Sequence, residues 1–430
     1  MKSLLAEFAT SLKAVSVRAI GVFSTLLISV YLVRQYGVEV NGAFQLSFAF
    51  AMIASAIAKL GQDQLALREN AKYCARNEPE KATALLKSSL ILVIPFSSFV
   101  AFVLIILINL FNRSLTTYIA AFFPFIIAIS VIWIAAEGMR GWQHINISIF
   151  WQAAFIPLAF LLSIFFLNIP FSIDPLFLPL IYSIISMISV LAICYYWRLI
   201  TPGGFSGRNA ELFSYSILIE KGKHFWVLAI LTSLAGWIDL VVLSFVASNE
   251  IIGLYQPIVR TGTVIAVLIN MATAALVPRL ALLFMKNDQA EFIKVTRLYW
   301  IAIILGSTAL CLVLSLNVDY LLSVWGPEFR IYRNEFVIYI AVQLIQSFFI
   351  LPMLVSPVIG LEKELSFIQI IVLPIKIASI ALGFIFLEIL GVIYALGLCT
   401  CISSLFIFYV YIRHLKRKGM PWQQLVLGRL

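Results

Sequence analysis

Long apolar runs separated by short polar stretches fill the chain from end to end. Twelve are readable, at 15–33, 42–58, 88–110, 117–136, 147–167, 176–197, 225–246, 253–276, 299–316, 336–359, 365–387 and 391–412. About 20 apolar residues carry a helix across the hydrocarbon core of a bilayer, and most of these runs are close to that length. The alternation of apolar and polar positions that a membrane barrel strand needs is absent. Lipid offers an unpaired backbone no hydrogen-bond partner, so the runs predict helices. The expected fold is an all-α integral membrane protein of about twelve transmembrane helices.

Composition sharpens this. Of the 430 residues 62% are apolar and 12% charged, and the mean hydropathy is +1.03. A soluble domain carries about 25% charged residues. Little chain is left for a folded domain outside the membrane. The net charge of +10, from 30 Lys and Arg against 20 Asp and Glu, would point to nucleic acid in a soluble protein. Here it sorts by side. With the N terminus inside, 23 basic residues fall in inner segments, four (Arg34, Arg113, Arg330 and Arg333) in outer loops, and three within runs. Cytoplasmic loops accumulate Lys and Arg, so both termini are expected in the cytoplasm and no nucleic-acid partner is implied. The first run is longer than the roughly 7–15 residues of a signal-peptide core and reads as an uncleaved span. Five scattered cysteines and three distant histidines make neither a disulfide framework nor a zinc set. No metal or cofactor is expected.

Two inner stretches, 59–87 and 198–224, mix charge with apolar residues and read as amphipathic helices along the inner surface. The second contains Thr201-Pro202-Gly203-Gly204, a flexible break. It divides the chain into a six-helix lobe at 1–200, a cytoplasmic linker at 201–224, a second six-helix lobe at 225–412 and a cytoplasmic tail at 413–430. An internal echo supports the division: NGAFQ at 41–45 returns as IGLYQ at 252–256, and the same offset lays the first run onto the seventh. Six spans per half makes the halves parallel repeats, an arrangement that commonly brackets a midplane site.

A charged side chain at the centre of a spanning helix costs about 2.5–3.5 kcal/mol, so those tolerated there usually face a cavity or a partner. Asp239, Arg260 and Lys376 qualify. Asp239 lies seven residues before the end of its run and Arg260 seven after the start of the next, which puts them at one depth and able to pair. Lys376 sits near the middle of its run, with Gln369, Ser379 and Gly383 on its face, while Gln256, Thr263 and Asn270 share the face of Arg260. In the first run Arg18, Gly21, Thr25 and Ser29 form a similar stripe. The functional expectation is that Arg260, Lys376 and Arg18, with Gln256, Asn270 and Gln369, bind a polar or anionic substrate, while Asp239 handles a coupling proton or sodium ion. The structural alternative is an Asp239–Arg260 bridge with Lys376 and Arg18 reaching toward the interface. Pro95, Pro124, Pro157, Pro257, Pro352, Pro357 and Pro374 mark candidate bends. Glu137, Arg140 and His144 read as a solvated loop end, and the aromatics Trp142, Trp197, Tyr299, Trp325 and Trp422 as an interfacial belt.

The stretches LVRQYGVEVNGAFQ at 32–45, KLGQDQLALRE at 59–69, IIGLYQPIVRTG at 251–262, VPRL at 277–280 and LLSVWGPEF at 321–329 resemble, in that order, the polysaccharide exporters of the multidrug/oligosaccharidyl-lipid/polysaccharide (MOP) flippase superfamily. The resemblance implies a two-lobed fold that opens alternately to either side of the bacterial inner membrane. It also implies a polyprenyl-pyrophosphate-linked oligosaccharide as cargo, as in O-antigen and lipopolysaccharide assembly, with membrane lipids, the polysaccharide polymerase and chain-length machinery as partners. Two other classes stay open. A multidrug cation antiporter of the same superfamily needs an acid facing its cargo, and the first six runs contain no Asp or Glu. A membrane enzyme acting on lipid-linked sugars needs reactive groups on a sizeable outer loop, and the outer loops hold only four basic residues and no His. No phosphate-cradling glycine loop is present for ATP coupling.

Overall fold

The computed structural model of the chain describes residues 2–171, 173–201, 212–265, 269, 276, 280, 283, 288–356 and 359–418. All regular structure among them is helical: α1 Lys2–Tyr36, α2 Val38–Ala58, α3 Gln62–Arg76, α4 Pro79–Phe111, α5 Arg113–Ala121, α6 Phe123–Gly141, α7 Ile145–Ile149, a π segment Phe150–Ala154, α8 Phe155–Phe171, α9 Leu178–Ile200, α10 Tyr215–Val246, α11 Asn249–Gly262, α12 Gln289–Leu316, α13 Val318–Ser323, α14 Arg333–Val355 and α15 Glu362–Arg417. Ten stretches among the described residues are long and apolar enough to cross a membrane. Nine carry one predicted run each, and the tenth, Lys363–Arg417, carries two. The remaining run, 253–276, begins as α11 and passes into residues outside the described set. The expected all-helical membrane fold is therefore what the chain adopts.

Several helices depart from the runs for identifiable reasons. The run at 117–136 is broken at Phe122 into α5 and α6, because Pro124 in the first turn of α6 has no N–H to continue α5. The spanning part is consequently shifted to Phe123–Gly141 and takes in Glu137 and Arg140. Within 145–171, Pro157 cannot donate to the carbonyl of Ala153, and the turn before it widens into the π segment, where Phe155 N bonds Phe150 O. Helix α15 reverses at Leu387 and Glu388, whose φ values are −137° and +49°. Gly383 and Gly391 meet across this turn, backbone against backbone.

The loop 59–87 does form a helix, α3, but not one lying on the lipid surface. Its polar residues Gln62, Asp63, Glu69 and Asn70 are buried, and Asn70 accepts a hydrogen bond from Trp142 Nε1 at 3.2 Å. Polar groups that find partners in protein have no reason to face a lipid surface. Residues 215–224 are continuous with the following span as α10, so they are not a separate surface helix.

The chain divides into two compact units, Ser16–Val241, and Val242–Leu430 with Met1–Val15. The first is built around packed rings of Phe44, Phe48, Phe122, Phe125, Phe160 and Tyr182, with centroids from 4.9 Å (Phe160–Tyr182) to 6.2 Å (Phe44–Tyr182) apart. Lipid is as apolar as these rings, so their contribution comes from close packing rather than removal from water. Ser88, Ser130, Ser183, Ser186 and Ser189 each bond the carbonyl four residues back, which lets helices approach without stranding a hydroxyl. Phe99, Phe102, Phe111, Phe166 and Leu191 are exposed, as a lipid-facing surface requires. The second unit buries Phe292, Leu351, Val355, Tyr411 and Leu415 together, and Trp325 Nε1 donates to Thr261 Oγ1 at 3.1 Å.

Candidate functional site

A cavity of about 460 Å³ opens in the Ser16–Val241 unit between the end of α2, the start of α3, α6 and α10. Trp133, Trp237 and Phe225 supply its aromatic walls; Ser55, Thr232, Ser233 and Gln64 supply polar groups. At its floor Lys59 Nζ bonds Asp63 Oδ2 at 2.9 Å, with the two side chains only 8% and 4% exposed. The same ammonium lies 4.5 Å from the Trp133 ring centroid, a cation–π contact. This pair is placed by the α2–α3 corner, where Leu60 and Gly61 take positive φ values of 51° and 70°. Gly61 is needed there, because a Cβ would run into the backbone of α10 at Gly222 and Trp226. Trp226 Nε1 donates to Ile57 O at 2.7 Å and Gln62 Nε2 to Leu218 O at 3.1 Å, tying α10 to the corner.

A second group of charges adjoins the first. Glu137 Oε1 accepts from Arg140 Nη1 at 2.9 Å and from Gln152 Nε2 at 3.0 Å. Glu137 is 1% exposed, and its Oε2 is buried without a hydrogen-bond partner among the described residues. The residue is thus an interior carboxylate and not the solvated loop end expected from sequence. Its helix runs on past Ala136, and the π segment turns Gln152 toward it. Glu137 interacts electrostatically with Lys59 and Asp63, and Arg18 with Arg140 and Glu137. On α3, outside the spanning helices, Glu69 bonds Lys72 at 2.9 Å and Arg68 at 3.1 Å. Burial pushes its carboxyl upward, but the two cations outweigh this and hold it below the ordinary carboxylate range.

Of the residues expected from sequence to bind substrate, Arg18 is one whose charge reaches this cluster. Its stripe does not line a cavity throughout: Gly21 is packed on the carbonyl of Ala153, and Ser29 is fully buried and bonded to Asn41 at 2.9 Å. Asp239 is half-buried on α10. Gln256 is buried on α11, with Arg260 half-buried one turn on. Lys376 and Gln369 are half-buried on α15, and Asn270 lies outside the described residues. The second unit has its own cavity, about 670 Å³, between α14 and the two arms of α15, lined by residues such as Ile338, Val342, Leu382, Phe386 and Tyr394. Among the described residues no three His, Cys, Asp or Glu side chains group as a metal site.

A family model described as polysaccharide biosynthesis protein matches residues 11–284, more than half of the chain. The chain belongs to this polysaccharide biosynthesis protein family. Comparison with curated proteins found no match. Solved structures share the fold at low identity. An inward-facing multidrug-resistance MATE transporter of the MOP superfamily aligns with TM-score 0.73 and 14% identity over 95% of this chain and 98% of that one. A mutant of the Vibrio cholerae MATE transporter VcmN gives 0.66 and 13% over 97% and 99%. A MOP transporter from Pyrococcus furiosus, described as having a binding pocket of reversed polarity, gives 0.65 and 13% over 95% and 96%. The chain thus combines membership of this family with a fold shared with transporters of the MOP superfamily. In this member of the polysaccharide biosynthesis protein family the charge cluster has an uneven balance: Arg18, Arg140 and Lys59 stand against Glu137 and Asp63. One argument from sequence is overturned. The first half does contain interior acids, Glu137 and Asp63, and the cations described beside them, Arg18, Arg140 and Lys59, outnumber them.

Proposed function

We propose that the protein flips polyprenyl-pyrophosphate-linked oligosaccharide repeat units, such as O-antigen units, across the bacterial cytoplasmic (inner) membrane. The halves alternate access to either side, driven by a proton or sodium gradient. The observation that carries this reading is the excess of one positive charge in the Arg18, Arg140, Lys59, Glu137 and Asp63 cluster beside a cavity walled by Trp133 and Trp237. Guanidinium groups suit pyrophosphate oxygens, and indole faces with nearby hydroxyls suit sugar rings. The lipid tail stays in the bilayer while the head group passes through protein. Arg260 and Lys376, with Gln256, Asn270 and Gln369, act on the same anionic cargo at other stages of its passage, and Asp239 takes the coupling ion. The units are then handed to the polymerase and chain-length machinery.

Deleting the gene tests the reading. Long-chain surface polysaccharide should disappear and lipid-linked repeat units should accumulate on the inner leaflet, with Trp133→Ala giving the same phenotype at normal protein abundance. Unchanged polysaccharide with raised dye sensitivity would overturn it in favour of drug export.

A further inference from the structure

Glu137 has only part of its hydrogen-bonding capacity used. Both bonds, from Arg140 and Gln152, go to Oε1, while Oε2 is buried without a donor among the described residues. An ionised carboxylate oxygen left in that state in a membrane-spanning helix is poorly solvated. A proton on Oε2 would remove the charge without disturbing the bond from Gln152. The surroundings are built for this. Pro157 opens the π segment that aims Gln152, and Gly21 lets α1 close onto Ala153 of the same segment. π segments within spanning helices are often functional.

The charged groups facing Glu137 are Arg140 on its own helix and Lys59 and Asp63 at the α2–α3 corner, with Arg18 on α1 adding its charge. Lys59 and Asp63 satisfy each other at 2.9 Å. From α9 the neighbour is Trp197, packed on Gly138, and α4 contributes apolar residues such as Leu86 and Val93 to the shared core. Arg140 is 42% exposed on its side chain and Arg18 is exposed, so both guanidinium groups can be reached by a solute that Glu137 cannot itself meet.

We propose that Glu137 is an exchangeable counter-ion: the anionic group of the cargo takes Arg140 and Arg18 from it, and the released carboxylate accepts one proton from water at Oε2. The inference rests on the reading of an anionic cargo and adds to it a proton site separate from Asp239. Binding of anion and proton are then linked. For one proton taken up, affinity for the anion falls up to tenfold for each pH unit of rise over the range in which the free site is ionised and the occupied one protonated.

Farnesyl pyrophosphate, a short soluble polyprenyl pyrophosphate, serves as the probe, with the full-length purified protein in detergent. Titration calorimetry in two buffers of different ionisation enthalpy counts the protons. Wild type should take up about one proton per probe bound. Glu137→Gln should take up none and bind the probe up to tenfold tighter, because its arginines are no longer neutralised, and Arg140→Gln should bind it more weakly. An infrared difference spectrum of the wild type needs no variant to fold and should show a protonated carboxyl band appearing with the probe. No probe binding, no proton uptake by wild type, or equal uptake by Glu137→Gln would overturn the exchange. The flippase reading fails separately, if gene deletion leaves surface polysaccharide intact; proton-linked pyrophosphate binding would survive that result.

Discussion

Gly61→Ala is the substitution whose effect the structure determines most directly. At φ +70° and ψ 11° the residue sits in the left-handed region, which costs a residue with a Cβ about 1–2 kcal/mol. The added methyl would also meet Gly222 O, and Trp226 N at 2.6 Å, both backbone atoms of α10 that cannot rotate away. Ordinary contact begins near 3.4 Å, so α10 must retreat by the better part of an ångström, and overpacking of this kind costs about 1–3 kcal/mol. The sum is about 2–5 kcal/mol. The retreat would stretch the Trp226–Ile57 and Gln62–Leu218 bonds and displace Phe225, Thr232 and Trp237 from the cavity wall. Gly236→Ala is the control: it lies on the same helix with no atom of the described residues within 4 Å of its added Cβ, and helix propensity alone favours Ala there by about 1 kcal/mol. Thermal unfolding of the detergent-solubilised protein, followed by size-exclusion fluorescence, should place Gly61→Ala several degrees below wild type and Gly236→Ala at or above it. If the two variants melt together, the close approach at Gly61 does not hold α10, and the account of the cavity's wall is wrong.

Asp63→Asn should destabilise by about 3–5 kcal/mol, since it strands the ammonium of Lys59 in a buried site. The double replacement Lys59→Met with Asp63→Leu should recover abundance on a membrane immunoblot without recovering polysaccharide export; recovery of both would make the pair structural only. Glu69 gives a pH test with a fixed sign. Its folded carboxyl lies below the ordinary value of 4.5, so its stabilisation is complete above that value and lost as pH falls through the lower folded one. Glu69→Gln should therefore flatten the acid limb of the melting curve below about pH 4.5 and leave its slope at neutral pH unchanged. Gly391→Leu should block the close approach to Gly383 and cut protein abundance, whereas Glu388→Gly, which relieves a left-handed residue at φ +49°, should raise the melting temperature or leave it unchanged.

The helices were legible because lipid permits so little else: runs of about 20 apolar residues must satisfy their backbones internally. Their ends were less legible. Counting apolar residues closed the fourth run at Ala136, one residue short of Glu137, and so placed an interior acid in a loop. The break at Phe122, marked in sequence by Pro124, was the signal that the span lies further along the chain. Pro157 likewise marked a weakened turn, but nothing in sequence said that Gln152 would be aimed at Glu137. Lys59 and Asp63 were visible as a spacing of four on a polar stretch, a pattern that on most proteins is a solvated pair. Only the positive φ of Leu60 and Gly61, which folds α3 back against α6, makes it an interior one.

That fold-back also changes what charge means in this chain. Sequence alone divides the basic residues into many that record orientation and a few inside the runs that serve function. Lys59 and Arg140 belong to the first group by position and to the second by burial or contact: Lys59 is 7% exposed, and Arg140 is bonded to a carboxylate that is 1% exposed. A residue at the inner end of a span can fix topology during insertion and hold an anion afterwards, because the two demands act at different times and both call for positive charge. The discriminating feature is whether an interior carboxylate stands opposite. Where one does, as at Glu137 and Asp63, removing the acid should alter transport without altering topology, and cysteine accessibility at Cys74 on α3 would report the topology independently.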